Sequence, residues 1–189
     1  MSESGDNVRE AILSPEEISA GVADLARQIA YRCAGDEVAF VGIYTRGVTL
    51  ARRVAEALKA QGLTYPVGTL DISLYRDDFY NRGADLPKLE SSDVPFALDG
   101  IRVILFDEVI FTGRTIRAAL DGLMDYGRPA KIELAVLVDR GHREIPIQPD
   151  YVANRIGTTR DQRVKVRFRE DDGGEEGVFI ETPRKVTAA

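Results

Sequence analysis

The chain has 189 residues and a formal net charge of −6. That length suits one hydrophobic core, and the negative balance excludes a protein that binds nucleic acid through overall positive charge, leaving only a local basic patch open. One cysteine, Cys33, excludes an internal disulfide and a cysteine metal site, and the absence of a signal pattern or a bilayer-length apolar run makes a cytoplasmic protein with no membrane partner the expectation.

Residues 1–10 are polar and are expected to be disordered. "SPEE" at 14–17 starts a helix: Ser14 caps, Pro15 fits the first turn and Glu17 completes a capping box. Ile18, Val22, Leu25, Ala26, Ile29 and Cys33 then recur at helical spacing, which makes Cys33 a small buried residue rather than a reactive thiol. "EVAFVGIY", 37–44, is a strand buried on both faces. "TRG", 45–47, is a turn before an amphipathic helix that Gly62 ends. "YPVGTLDISLY", 65–75, reads as a strand, and a polar stretch follows from Arg76 to about Pro95. "IRVILF" is a third buried strand, followed by a turn and a helix to about Tyr126. "KIELAVLV", 131–138, is a fourth strand. Strands alternating with helices imply an α/β fold with a mostly parallel central sheet flanked by helices. After Asp139, "YVANRI", "RVKVRF" and "GVFIE" form a small extra lobe, with "EDDGGEE", 170–176, as a solvated loop. No linker or repeat divides residues 1–189, so a single domain is expected.

Ligands of open parallel sheets bind beyond the carboxyl ends of the strands. Four segments here leave such ends, at Thr45, Leu74, Asp107 and Asp139. All carry arginine and three carry carboxylates. In "ILFDEVIFTGRTI", 104–116, the chain turns from strand into helix, where the first backbone N–H groups lack internal partners and favour an anion. Thr112 and Thr115 add hydroxyls and Gly113 permits close approach, which describes a cradle for a monophosphate. It is not a Walker A loop. Asp107 and Glu108 would repel phosphate, so they suit vicinal hydroxyls, which donate to carboxylates. A phosphorylated ribose has both parts. Acids that merely complement a helix dipole are the competing explanation, and the attached Thr-Gly-Arg-Thr outweighs it.

"VILFDEVIFTGRT", 103–115, resembles the phosphoribosylpyrophosphate (PRPP) motif of type I phosphoribosyltransferases. "VGIYTRG", "DISLYRDD", "YGRP" and "LAVLVDRGHREIPI" narrow the resemblance, over about residues 10–181, to the PyrR family of pyrimidine operon attenuators and uracil phosphoribosyltransferases. The resemblance implies a type I phosphoribosyltransferase fold with a small C-terminal hood at about 139–181 and a flexible active-site loop at 76–95. It implies Mg²⁺, held mainly through PRPP and water, with PRPP and uracil converted to UMP and pyrophosphate. By motif, Asp107 and Glu108 hold the ribose hydroxyls, and Val109, Ile110, Phe111, Thr112, Gly113, Arg114 and Thr115 hold the 5′-phosphate. Thr45, Arg46 and Gly47 form the pyrophosphate loop. Asp139 and Arg140 lie beside the base, with Val164 at its far wall. Arg76 reaches the phosphates from the closing loop. A homodimer is expected by analogy.

The proposed reaction needs a neutralised leaving group and a dry site, which Mg²⁺, Arg46 and turn N–H groups answer. No general base is singled out between Glu108 and Asp139, and His142, the only histidine, reads as a surface or interface residue. Two departures from the family stand out. Glu108 occupies a position where members usually carry aspartate. In the first helix, Ala23 and Asp24 replace more polar and basic residues of members that bind attenuator RNA, and Gln148 and Asn154 fall where basic residues would help. Arg27, Arg32, His142, Arg143, Arg155 and Arg160 remain as material for an RNA-binding patch. The alternative function is therefore an RNA-binding regulator that senses UMP or PRPP.

Overall fold

The computed structural model describes residues 8–75 and 92–183. Its centre is a five-stranded sheet in the order β3-β2-β4-β5-β6, formed by β2 (Val38–Ile43), β3 (Val67–Leu70), β4 (Arg102–Ile110), β5 (Lys131–Asp139) and β6 (Tyr151–Arg155). All neighbouring pairs run parallel. β2 is buried along its whole length. Helices α1 (Pro15–Arg32) and α2 (Arg46–Lys59) cover one face, where Leu25, Ile29, Leu50 and Val54 pack on Phe40, Ile104 and Phe106. Helix α3 (Arg114–Leu123) covers the other, setting Ile116, Ala119 and Leu123 against Val41, Leu105 and Val136. Each large apolar side chain buried this way contributes about 1.5–3 kcal/mol before entropy is counted.

The start of α1 is as the sequence predicts: Ser14 Oγ accepts from the Glu17 N–H while Glu17 accepts from the Ser14 N–H. The N-terminal strand is not. β1 (Val8–Leu13) begins inside the segment expected to be disordered, because it pairs antiparallel with β8 (Gly177–Thr182). β8 also pairs with β7 (Arg163–Arg167), giving a separate sheet in the order β1-β8-β7. The hood is therefore built from both ends of the chain, and it is smaller than expected. "YVANRI" supplies β6, the edge of the main sheet, beside β5. Val166, Phe168 and Val178 of the hood join the core under α1.

Other boundaries shift for local reasons. β3 stops at Leu70, since the Asp71 carboxylate accepts from the Ser73 N–H and hydroxyl at 2.8 and 2.6 Å and turns the chain into a 3-10 segment, Ser73–Tyr75. Ser92 and Asp93 return along β3, where Asp93 pairs with Thr69. The expected loop otherwise lies outside the described residues, as does Arg76. β4 runs through both acids to Ile110, and Arg46 and Gly47 belong to the first turn of α2. "EDDGGEE" is not simply solvated. Its first residues close the short helix α4 (Arg169–Asp172), packed against α2. Among the described residues no helix is long and apolar enough to cross a membrane.

At the opposite end of the sheet from the charged turns, Glu133 is buried at 1% exposure. It accepts from Lys131 Nζ (2.6 Å), Tyr151 Oη (2.8 Å) and Arg102 Nη1 (3.3 Å). Burial pushes its pKa up, but these donors and the Arg102 charge outweigh burial and hold it below the ordinary 4.5. Removing one member of such a network strands the others. Glu133→Gln is expected to cost about 3 kcal/mol at neutral pH, on the scale of broken buried pairs. Because the folded pKa is depressed, the difference from wild type is present above pH 4.5 and shrinks as pH falls through the lower folded value. Urea unfolding of both proteins across that range reads this directly.

Candidate active site

β4 delivers the acids. Asp107 is 5% exposed and its Oδ1 accepts the Glu108 N–H at 3.0 Å, while Glu108 is half-buried. Phe111 and Thr112 then lead to Gly113, which caps α3 with a φ of +94°, a left-handed conformation that suits glycine. No side chain caps this helix. The outer side of the turn is braced instead. The Thr112 carbonyl accepts from the Glu144 and Ile145 N–H groups at 2.9 and 3.1 Å, and Arg143 Nη1 donates to the Phe111 carbonyl at 2.9 Å. Thr115 is half-buried on the first helical turn. The Arg114 guanidinium points to Glu144 at 3.0 Å, and its backbone N–H donates to Thr112 Oγ1 at 3.4 Å.

Thr45 precedes α2 after a cis Tyr44–Thr45 peptide bond. Gly47 is buried against the end of β4: a Cβ there would lie 2.4 Å from the Phe106 carbonyl oxygen and 3.4 Å from the Asp107 Cα. No side chain fits, so the α2 start and the acids are neighbours by necessity. Arg46 Nε and Nη2 donate to the two oxygens of Asp172 on α4, which lies in the hood. The bond from Asp172 is the largest influence raising the Arg46 pKa, and the Glu108 charge adds to it, so Arg46 sits within the field of that carboxylate. Thr49 Oγ1 donates to Asp171 at 3.0 Å, and Arg53 pairs with Glu170 and Glu176.

A cavity of about 610 Å³ opens beside β4, lined by Val109, Phe111, Arg140, Val164 and the segment Arg160–Lys165. Arg140 is 6% exposed. Its guanidinium carbon lies 4.0 Å from the Phe111 ring centroid, with Nε on Thr158 Oγ1 and Nη2 on the Thr159 carbonyl. Burial lowers its pKa. Asp139 is engaged, accepting from the Gly141 N–H at 2.9 Å and from Arg143 Nη2 at 2.7 Å. His142 bonds the Thr158 carbonyl at 2.7 Å and meets the Phe111 ring edge-on, which ties it to the hood loop.

The structure thus brings Thr45, Arg46, Gly47, Asp107, Glu108 and the turn through Thr115 to one end of the sheet, and joins Val109, Phe111, Arg140 and Val164 in one cavity. The sequence reading missed Asp171 and Asp172. A signal was available: Arg46, Thr49 and Arg53 share one face of α2, with no other acidic run to meet them.

The phosphoribosyl transferase domain family matches residues 8–171. "Bifunctional protein PyrR" of Roseiflexus sp. (strain RS-1) is 52% identical over 171 residues, 89% of this chain and 93% of that protein. "Bifunctional protein PyrR 1" of Lactiplantibacillus plantarum is 56% identical over 144 residues, 75% of this chain and 79% of that one. Among solved structures, a hypoxanthine phosphoribosyltransferase from Trypanosoma cruzi superposes with a TM-score of 0.71 at 18% identity, covering 96% of this chain and 98% of that one, a likeness of fold. With its parallel sheet, its strand-end acids and these relatives, the chain is a type I phosphoribosyltransferase and belongs to the PyrR family.

Proposed function

We propose that this chain is a uracil phosphoribosyltransferase, converting uracil and PRPP to UMP and pyrophosphate. The observation that carries the reading is that β4 presents, in consecutive residues, an acid pair, an apolar wall and an uncapped helix N-terminus. These match in order a diol, a base and a phosphate. Asp107 and Glu108 accept from the ribose hydroxyls. The turn from Phe111 to Thr115 donates N–H groups and hydroxyls to the 5′-phosphate. The ring of Phe111, backed by Arg140, forms one wall for uracil and Val164 the other.

The uracil nitrogen bonds to the anomeric carbon as the bond to pyrophosphate breaks, its N–H proton passing to the departing pyrophosphate or to solvent, and the ribose gains oxocarbenium character. Arg46 and the N–H groups at the start of α2 stabilise the charge that develops on the leaving group. The carboxylate oxygens of Asp107 and Glu108 are hard donors that would help to hold Mg²⁺, which would supply further neutralisation of pyrophosphate. Asp139, held by Arg143, is an anchor of the hood rather than a proton acceptor. Arg76 and the closing loop complete the site in this reading, and a cytoplasmic homodimer is its expected setting.

The second reading, an RNA-binding regulator that senses UMP or PRPP, is supported by the word "bifunctional" in the relatives' names. The charge that would drive it is largely committed within the chain. Arg27 pairs with Asp24, Arg143 with Asp139 and Arg160 with Glu144, while Arg32 donates to the Asp150 carbonyl. Arg155 is the arginine of the expected patch that is exposed without such a partner among the described residues. Enzyme chemistry therefore leads.

Purified protein with uracil, PRPP and Mg²⁺ is expected to release UMP and pyrophosphate, with hypoxanthine failing to compete. UMP soaked into crystals is expected to lie along β4 with its phosphate at Gly113. A silent assay together with UMP-dependent binding to a pyrimidine leader transcript would select the regulator instead.

Glu108→Asp restores the shorter acid usual in the family. It is expected to raise kcat/KM about fivefold, since an ångström of misplacement is costly at a reacting centre. A fall in kcat/KM would mean that the site is built around glutamate.

A further inference from the structure

Arg46 is the one cation in the Thr45–Gly47 segment, and its side chain is a long, rotatable arm about a third exposed. The backbone beneath it is fixed by Gly47, but the backbone does not fix the guanidinium. Asp172 does. It accepts from Nε (3.1 Å) and from Nη2, along one edge of the fork. Asp172 is itself held, since its Oδ2 also accepts the Phe168 N–H at 3.1 Å, where the chain enters α4. The mutual pairing raises the Arg46 pKa and lowers that of Asp172. Nη1 has no partner among the described residues, so the other edge of the guanidinium stays available. An arginine whose rotamers are already chosen gives up less entropy when it grips a second anion.

We propose that Asp172 is the positioning residue for Arg46, holding one edge of the guanidinium so that the other meets the pyrophosphate of the substrate. This rests on the reading of Thr45–Gly47 as the pyrophosphate arm. It also gives the hood two tasks. β7 lines the base cavity through Arg163, Val164 and Lys165, and the chain that continues from it, through Phe168, carries Asp172 to α2. The base wall and the pyrophosphate arm are thus set by one stretch of about ten residues. Asp171 on the same turn supports the arrangement by accepting from Thr49.

The test compares wild type with Asp172→Ala, Asp172→Asn, Arg46→Ala and the double variant, using calorimetric titration with Mg²⁺-pyrophosphate and steady-state kinetics. Asp172→Ala is expected to weaken pyrophosphate binding and raise the KM for PRPP about tenfold, on the scale of losing a preorganised charge-assisted contact, with the KM for uracil within about twofold. Asp172→Asn keeps one acceptor and should fall between. The double variant should be no weaker than Arg46→Ala alone, because both remove one device. Glu170→Gln loosens the same hood contact without touching Arg46, and should lower thermal stability while leaving pyrophosphate affinity at the wild-type value. Unchanged or tighter pyrophosphate binding in Asp172→Ala overturns the proposal, as do additive losses in the double variant or an equal loss in Glu170→Gln. Wild-type protein that forms UMP yet shows any of these outcomes defeats the positioning role alone. Wild-type protein that neither forms UMP nor binds pyrophosphate overturns the underlying reading, and this inference with it.

Discussion

The Phe106 carbonyl leaves no room for a side chain at residue 47, where a Cβ would fall 2.4 Å away. Everything at the charged end of the sheet follows from that closeness. β2 and β4 are hydrogen-bonded neighbours in register from Val38–Arg102 to Gly42–Phe106. The chain leaving β2 can therefore enter α2 only by crossing over the end of β4. A second contact repeats the constraint one step earlier, since a Cβ on Gly42 would lie 2.4 Å from the Val48 Cα. Two glycines thus press the start of α2 onto the sheet, and the acids of β4 emerge directly beside an arginine. A site assembled from secondary-structure ends keeps its geometry more tightly than one built on free loops.

The hood is held to this platform by charge as well as by apolar packing. Phe168 and Val178 enter the core, while Arg46, Thr49 and Arg53 on α2 meet Asp172, Asp171 and Glu170 with Glu176. Most of these contacts are partly buried, with Asp172 and Glu176 only 15% and 7% exposed. Their value lies in direction, because a bidentate fork fixes orientation in a way that apolar contact does not. Asp171 shows the tension in the arrangement. Burial raises its pKa, and its Oδ2 is buried without a hydrogen-bond partner among the described residues. The hood thus rests on α2 through acids that are not all equally content, at the edge of a ligand site where a change in local charge is expected during the reaction.

The main sheet and its flanking helices were legible in the sequence because their signals are local. β2 is an unbroken apolar run, β4 and β5 carry apolar runs at Val103–Phe106 and Leu134–Val138, and α1 carries both its cap and its stripe. What the sequence concealed depends on partners far along the chain. β1 begins in a polar N-terminal stretch and is mostly exposed, and it is a strand only because β8 lies next to it. "YVANRI" has the look of the segments that follow it, yet β5 claims it for the main sheet. The acidic run at 170–176 has the composition of a solvated loop, and cations of α2, β1 and β7 give it structure. In the site, the strand-end acids and the turn that follows them were readable from a continuous motif. The stacking of Arg140 on Phe111 was not, since it joins residues 29 apart that no spacing rule connects.

That stack bears on how the proposed reaction proceeds without an evident base. Asp139 already accepts from the Gly141 N–H and from Arg143, and the two ionised groups are 13% and 12% exposed. The Asp139 Oδ1 is thus engaged within the hood. His142 spends Nε2 on the Thr158 carbonyl. Arg140 is cationic, close to the base wall, and carries no ion pair among the described residues. Burial lowers its pKa, yet a guanidinium remains charged at neutral pH. A uracil ring in this cavity would lie in the field of an uncompensated cation, which favours negative charge on its carbonyl oxygens and eases loss of its N–H proton. On the proposed reading, the work assigned elsewhere to a base is thus divided between a fixed positive charge at the nucleophile and neutralisation of pyrophosphate at the leaving group.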